Sequence, residues 1–191
     1  MPKPAIREDG RHARKARTRQ AIVSALLELL DEGVPEPTAA QIAERADVAV
    51  RSIAQHFRTR EQLMLAIASQ HVARQPEPKK ADGPPSLRLE DFVAARVQEL
   101  ESSRAIRRAA SRAADSSEAV ATALADVSKR RRAALAQVLG KELGRRPPWV
   151  KHAVETLTSG PAWDVMRNDQ RLSVNAAETL LVHSLKHLLE V

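Results

Sequence analysis

Two helix-starting devices stand close together in this 191-residue chain, Thr-Ala-Ala-Gln at 38–41 and Thr-Arg-Glu-Gln at 59–62. In each, a threonine hydroxyl can accept the amide three residues on while the glutamine side chain reaches back, so two orphan donors of a new helix are satisfied. The stretch from the first device to just before the second, TAAQIAERADVAVRSIAQHF (Thr38–Phe57), reads as two short helices joined by a tight turn. Ile42, Ala43 and Ala46 make a narrow apolar face on the first. Asp47 stands at the turn, where aspartate is one of the few non-glycine residues that tolerates a positive φ. Ile53 and Phe57, four apart, share one face of the second helix. Arg51, Ser52, Gln55 and His56 are left to point elsewhere. A short helix with an apolar back and a hydrogen-bonding front is what a DNA major groove admits.

The neighbouring segments supply partners for that motif. Thr18–Glu32 reads as a helix with a broad apolar face (Ile22, Val23, Leu26, Leu27, Leu29, Leu30), and Gly33 is placed to end it in a left-handed cap. Val34-Pro35-Glu36-Pro37 cannot continue a helix. Thr59 opens a fourth helix running to about Arg74, with Leu63, Ile67 and Val72 as its stripe. Gln75–Ser86, QPEPKKADGPPS, has the composition of a linker. Beyond it Leu87 to about Ala113 is predicted as one helix (Phe92, Val93, Val97, Leu100). A cap signal at Asp115–Glu118 leads into Val120, Leu124 and Val127, and a separate stretch Ser128–Leu143 stops at Gly144 before Pro147-Pro148. Trp149 to about Asn168 is interrupted at Gly160-Pro161, where proline removes a backbone hydrogen bond. Ser173 caps a last helix carrying Ala177, Leu180, Leu181, Leu185, Leu188 and Leu189.

Tyrosine and cysteine are absent, and only two Phe and two Trp are present. The core must therefore be aliphatic, and the abundant Ala, Leu, Arg, Glu and Gln favour helix over sheet. The expected fold class is all-α, an N-terminal helix-turn-helix domain followed by a C-terminal helical domain, about nine helices in total. Lack of cysteine removes disulfides and thiolate metal sites and suits a reducing cytoplasm. No apolar run approaches the ~20 residues of a membrane span, and the N-terminus has no secretory core segment, so a cytoplasmic protein without a membrane partner is expected. The net charge is +7. Residues 1–20 gather Lys3, Arg7, Arg11, Arg14, Lys15, Arg17 and Arg19 against Glu8 and Asp9. Such a segment is either a solvated tail or an arm that neutralises phosphates, and RNA or an acidic membrane would attract it equally. Its place ahead of a helix-turn-helix favours DNA.

The ordered string TRQAIVSALLELLDEG, then T-x-x-QIAERA-x-V, then I-x-x-HF, then TREQL, spanning Thr18 to about Ile67, resembles the tetracycline-repressor (TetR-like) family of bacterial transcriptional regulators. The resemblance implies a homodimeric DNA-binding protein whose C-terminal domain dimerises and often binds a small molecule that releases the DNA. Carried over by position, it makes about Ala49–His56 the recognition helix. Thr38 would offer its helix N-terminus to a phosphate, Arg51, Ser52, Gln55 and His56 would face bases or backbone, and Arg60 stands where the family usually has a phosphate-contacting lysine. Three positions depart from the family pattern. Asp47 replaces the usual turn glycine, Ala49 a capping Ser or Thr, and Ala54 an aromatic residue that is usually Tyr. A lost Ser cap costs on the order of 1 kcal/mol. The departures shift weight onto Arg51, Ser52, Gln55 and the basic arm (Arg11, Arg14, Lys15, Arg17, Arg19).

The expected organisation is a basic flexible arm at 1–17, a DNA-binding domain at 18–75, a Pro-rich linker at 76–86 and a ligand-binding and dimerisation domain at 87–191. The last two major helices would form the dimer seam through Leu157, Val165, Ala177, Leu180, Leu181 and Leu188. Expected partners are double-stranded DNA, as a palindromic operator, a second copy of the chain and a small-molecule effector. His183 and His187 are four apart and could share a metal ion, but no third ligand is implied and hydrogen bonding is the simpler reading. Lys129-Arg130-Arg131-Arg132 reads as a solvated face before a second nucleic-acid patch. Trp149 and Trp163 suit core packing, a cavity wall or a dimer seam. No phosphate loop, dinucleotide fingerprint, nucleophile elbow or paired catalytic constellation is present in the sequence, so neither an enzyme nor a cofactor or metal is expected. The rival reading is a helical adaptor that binds nucleic acid non-specifically through its arm.

Overall fold

The computed structural model describes residues 6–73 and 82–191, and for residues 6–9, 11 and 71–73 only the helical backbone. Among the described residues there are ten α-helices, one π-helical turn and no strand. They are α1 (Ile6–Asp31), α2 (Ala39–Arg45), α3 (Val50–His56), α4 (Arg60–Ala73), α5 (Pro85–Ser102), α6 (Arg104–Ala114), α7 (Glu118–Leu143), α8 (Pro148–Leu157), α9 (Gly160–Asp164), the π turn Val165–Asp169 and α10 (Val174–Leu189). No described helix is long and apolar enough to cross a membrane. The chain forms two compact units, one from the described residues up to Ala73 with Ala105–Leu124, the other from those up to Arg104 with Ala125–Val191.

The first unit is built on the apolar face of α1. Ile22 and Leu26 are almost wholly buried, and around them pack Ile42 and Ala43 of α2, Ile53 and Phe57 of α3 and its end, and Leu63, Met64 and Ile67 of α4. Each large side chain so buried contributes about 1.5–3 kcal/mol before the entropy of ordering it. Gly33 ends α1 at φ +88, its N–H bonded to the Leu30 carbonyl at 3.1 Å and that of Val34 to the Leu29 carbonyl at 2.9 Å. A Cβ at this φ would be strained, which is why glycine stands there. Ile106, Ala109, Ala110 and Val120 complete the same core. Small alanines on α6 suit a helix that must approach its neighbours closely.

The second unit has α10 lying along α5. Leu89, Val93, Val97 and Leu100 meet Ala177, Leu181, Leu185 and Leu189, with Val150 and Val154 of α8 and Leu135, Val138 and Leu139 of α7 closing the core. Polar ties are threaded through it. Trp163, fully buried, donates its indole N–H to Glu101 Oε1 at 2.6 Å, and Arg167 Nε reaches the same oxygen at 3.0 Å. Burial alone would push the Glu101 carboxyl up; the Arg167 and Trp163 hydrogen bonds, with the charges of Arg167 and Arg104, bring it net below its ordinary value. Arg96 Nε donates to the Thr158 carbonyl at 2.8 Å, where α8 has just ended. Ser159 then accepts the Ala162 amide and starts α9 at Gly160-Pro161, so the proline splits the helix as its chemistry requires. Ser173 caps α10 by accepting the Ala176 amide at 3.1 Å.

Several sequence expectations change. Residues 6–17 of the supposed flexible arm are the beginning of α1, because Arg, Lys, Ala and Glu there are good helix formers that simply extend the next helix. The single helix expected from Leu87 breaks at Ser103, whose φ is −105 and ψ 5. The stripe of Val93, Val97 and Leu100 lies in one core, and after the break the apolar positions restart in a different phase at Ile106, Ala109 and Ala110, in the core of the other unit. Conversely the two stretches around Ser128 are continuous in α7, which kinks further on, at Leu139 (φ −122, ψ 16). Its start matches the cap signal, Ser117 Oγ accepting the Val120 amide at 3.2 Å. Of the expected linker, residues 76–81 lie outside the described residues, and α5 begins earlier than Leu87, using Pro85 in its first turn. Packing also cuts across the expected segment 87–191, since 105–124 group with the first unit.

The six residues expected at a dimer seam are divided. Ala177 and Leu181 are buried inside the second unit, Leu157 and Leu188 pack partly against its core, and only Val165 and Leu180 are exposed. Trp163 is core, whereas Trp149 is 61% exposed. We therefore expect Leu181→Ala to lower the unfolding free energy by about 2–5 kcal/mol in urea titrations, whereas Leu180→Ala, at a side chain exposed on the unit, should cost clearly less. Equal effects of the two substitutions would contradict this placement.

Candidate nucleic-acid interface

The helix-turn-helix forms as its end signals dictate. Thr38 Oγ1 accepts the Gln41 amide at 3.3 Å and Gln41 Oε1 accepts the Thr38 amide at 2.9 Å, the full reciprocal box. At the end of α2 the Ala46 amide reaches the Ile42 carbonyl at 2.9 Å, and the Val48 amide the Ala43 carbonyl at 3.0 Å. That closure needs a left-handed residue between them. Asp47 supplies it, at φ +52. Ala49 then occupies the N-cap of α3 in extended conformation, with no side-chain cap. The second box is looser than the first. Thr59 Oγ1 accepts the Gln62 amide at 3.2 Å, but the Gln62 side chain accepts from Arg58 at 2.9 Å, one residue earlier than the motif implies.

Ile53 and Phe57 point into the core, 7% and 4% exposed. On a helix of 3.6 residues per turn, the position most nearly opposite that pair is Gln55, flanked by Arg51 and Ser52. Arg51 and Gln55 are exposed, as is Ala54, and Ser52 is half-buried. Thr38 and Arg60 are also exposed, each at the start of a helix, and Arg60 lies 4.0 Å from Glu36 in a loose ion pair. On the same unit Arg14, Lys15 and Arg17 are exposed along α1, while the Arg11 side chain lies outside the described residues. Behind α3, Val50, Ile53 and Ala54 wall a cleft of about 650 Å³ floored by Leu26, Phe57, Leu63 and Met64. The methyl of Ala54 leaves that space open.

Two of the expected contact residues face inwards as well as outwards. His56 is half-buried, its Nδ1 without a hydrogen-bond partner, and its carbonyl accepts from Arg19 Nη1 at 2.9 Å. The guanidinium carbon of Arg19 sits 4.1 Å from the centroid of the Phe57 ring. Arg19, expected in the phosphate-neutralising arm, is exposed yet makes both of these contacts within its own unit. Sequence reasoning also missed the clamp of Arg45, which bonds both oxygens of Glu32 at 2.7 Å and lies 3.6 Å from Glu28. It missed the bonds from Arg112 to the Pro35 carbonyl and from Ser117 to Glu61. All join residues far apart in sequence, so no local spacing signals them. Elsewhere, Lys129, Arg130 and Arg132 are exposed while Arg131 bonds Glu99 at 3.1 Å. His183 and His187 are exposed on α10, and among the described residues no three potential metal ligands cluster.

Residues 22–67 match a protein-family model, that of the bacterial regulatory proteins of the tetR family. The N-terminal domain is TetR-like. Solved structures extend the likeness to the architecture of the whole chain. A transcriptional regulator (RHA1_ro04179) from Rhodococcus sp. Rha1 superposes with TM-score 0.67 at 18% identity, over 92% of this chain and 96% of that one. A tetR-family transcriptional regulator from Streptomyces coelicolor gives 0.63 at 20% identity, over 89% and 81%. The multidrug binding protein EbrR, complexed with imidazole, gives 0.60 at 20% identity, over 89% and 88%. No curated protein sequence matches. The matched residues thus cover α2 and α3 with the C-terminal part of α1 and the first part of α4; Arg14, Lys15 and Arg17 precede them.

Burial lowers the pKa of His56 below its ordinary 6.5, and the nearby charges of Lys15 and Arg19 add to the effect. The folded state therefore prefers the neutral ring. Stability from this source is complete above pH 6.5 and is lost as pH falls from there through the depressed value. An NMR titration should give a His56 midpoint below that of an unfolded-chain histidine, and Arg19→Gln should move it upward. A midpoint unmoved by that substitution would remove the contribution of Arg19, leaving burial and Lys15.

Proposed function

We propose that this protein is a transcriptional regulator that binds a palindromic operator as a homodimer, each α3 entering a major groove. The observation that carries the reading is the face of α3, with Arg51, Ser52 and Gln55 opposite an apolar back held by Ile53 and Phe57. Arg51 suits a guanine edge and Gln55 an adenine edge by bidentate geometry, and Ser52 either base or phosphate. Thr38 and Arg60, both at helix starts, would bind phosphates and fix the register. Arg14, Lys15 and Arg17 on α1 add counter-charge that does not read sequence. His56, half-buried and with its ring preferring the neutral form, is assigned to the edge of the contact set.

A two-fold symmetric dimer matches a two-fold symmetric operator. Val165 and Leu180, exposed large hydrophobics of the second unit, are the residues of the expected seam left open to a partner. Regulation as a repressor follows if an effector binds one spacing of the two recognition helices better than another; without such a difference nothing shifts. EbrR, described as a multidrug binding protein, shares the fold, which supports a small-molecule effector here.

The test is footprinting or a gel shift with pure protein on the DNA flanking its own gene, against random duplex at moderate salt. Saturable, sequence-specific protection is the expected result, and equal binding to both DNAs would favour the non-specific adaptor. Arg51→Ala should cost about 1–3 kcal/mol of operator affinity and relax specificity at one base pair. An equal loss on random DNA would make Arg51 a phosphate contact.

A further inference from the structure

We infer that Arg19 is a positioning residue for the recognition helix, acting as its C-terminal cap and not as a phosphate contact. The inference deepens the DNA-binding reading and rests on it for its functional consequence, though not for its structural one. Helix α3 spans only Val50–His56. So short a helix is far below the length of about 12–15 residues at which a peptide helix becomes even marginal in water, and its orientation must come from outside. Its N-terminus has no help, since Ala49 carries no side-chain acceptor. At its C-terminus the Phe57 amide closes on the Ile53 carbonyl at 2.7 Å, leaving the last carbonyls without helical donors.

Arg19 serves one of these. Its Nη1 donates to the His56 carbonyl at 2.9 Å, a cation on the negative end of the helix. The same guanidinium lies over the Phe57 ring at 4.1 Å, and Phe57 is the buried residue that anchors the end of α3. One planar group thus holds both a backbone carbonyl and the aromatic anchor that follows it, from α1, which shares its core with α3. Lysine has no planar face to lay on the ring and no fixed fork, so charge alone would not reproduce this arrangement.

Hydrogen exchange on the free, full-length protein tests the structural part. Arg19→Gln and Arg19→Lys should both speed exchange of the Ile53–Phe57 amides, by about tenfold if one capping hydrogen bond is lost, with α10 amides unchanged as the folding control. Unchanged exchange in both Arg19 variants overturns the proposal. The functional part is read as operator affinity against salt. A positioning role predicts that Lys fails to rescue Gln and that both keep the wild-type salt slope. A phosphate contact predicts rescue by Lys and a slope lowered by about one in Gln, which also overturns it. If the wild type binds no specific DNA, the functional reading falls, while the exchange result still decides what Arg19 does.

Discussion

A seven-residue helix cannot hold itself, and everything about the first unit follows from how α3 is held. Two side chains, Ile53 and Phe57, sink into an aliphatic core supplied by α1, α2, α4 and α6. Their burial fixes which residues look outward, so the chemistry offered to a groove is a by-product of packing. Arg51 and Gln55 are exposed because Ile53 and Phe57 are not. The charged links around this core then remove the remaining freedom. Arg45 ties α2 to the last turns of α1 through Glu32 and Glu28, and Arg19 ties the end of α3 to the middle of α1. The Glu32 link also holds that exposed carboxyl below its ordinary pKa, chiefly through its Arg45 hydrogen bond.

The second unit solves a different problem. Its core is large and apolar, yet α8, α9 and the π turn are short pieces broken at Thr158 and Ser159. Short pieces leave carbonyls and amides unpaired, and buried polar groups are costly unless matched. The matches are visible. Arg96 takes the Thr158 carbonyl, and Glu101 receives both the Trp163 indole and Arg167. These bonds add specificity to a core whose leucines alone would pack in several ways.

Most local signals were legible in the sequence, the return bond of Gln62 being an exception, and non-local ones were not. The reciprocal box at Thr38, the left-handed Asp47 and Gly33, the split at Gly160-Pro161 and the cap at Ser173 each depend on residues within a few positions of one another. The face of α3 was legible for the same reason, since it follows from the spacing of Ile53 and Phe57. The break at Ser103 was written only as a change of phase in the apolar stripe, and no proline or glycine marks it. The join across Ser128 went the opposite way, because the two stretches expected on either side of it run on as one helix through a serine that a helix tolerates. Arg19 could be counted as a charge from sequence, but its stacking on Phe57 and its bond to His56 depend on the fold.

The membership of Ala105–Leu124 in the first unit has a consequence for assembly. That unit is discontinuous along the chain. Ile106, Ala110 and Val120 reach the core only after α5, which belongs to the other unit, has been made. On the ribosome, α1 to α4 must therefore wait with part of their apolar surface uncovered until α6 and the start of α7 emerge. Closing so distant a pairing raises the contact order of the unit and slows its folding relative to a helical domain made of one continuous segment. The interval between α4 and α6 is thus a window in which the nascent chain is exposed to off-pathway association.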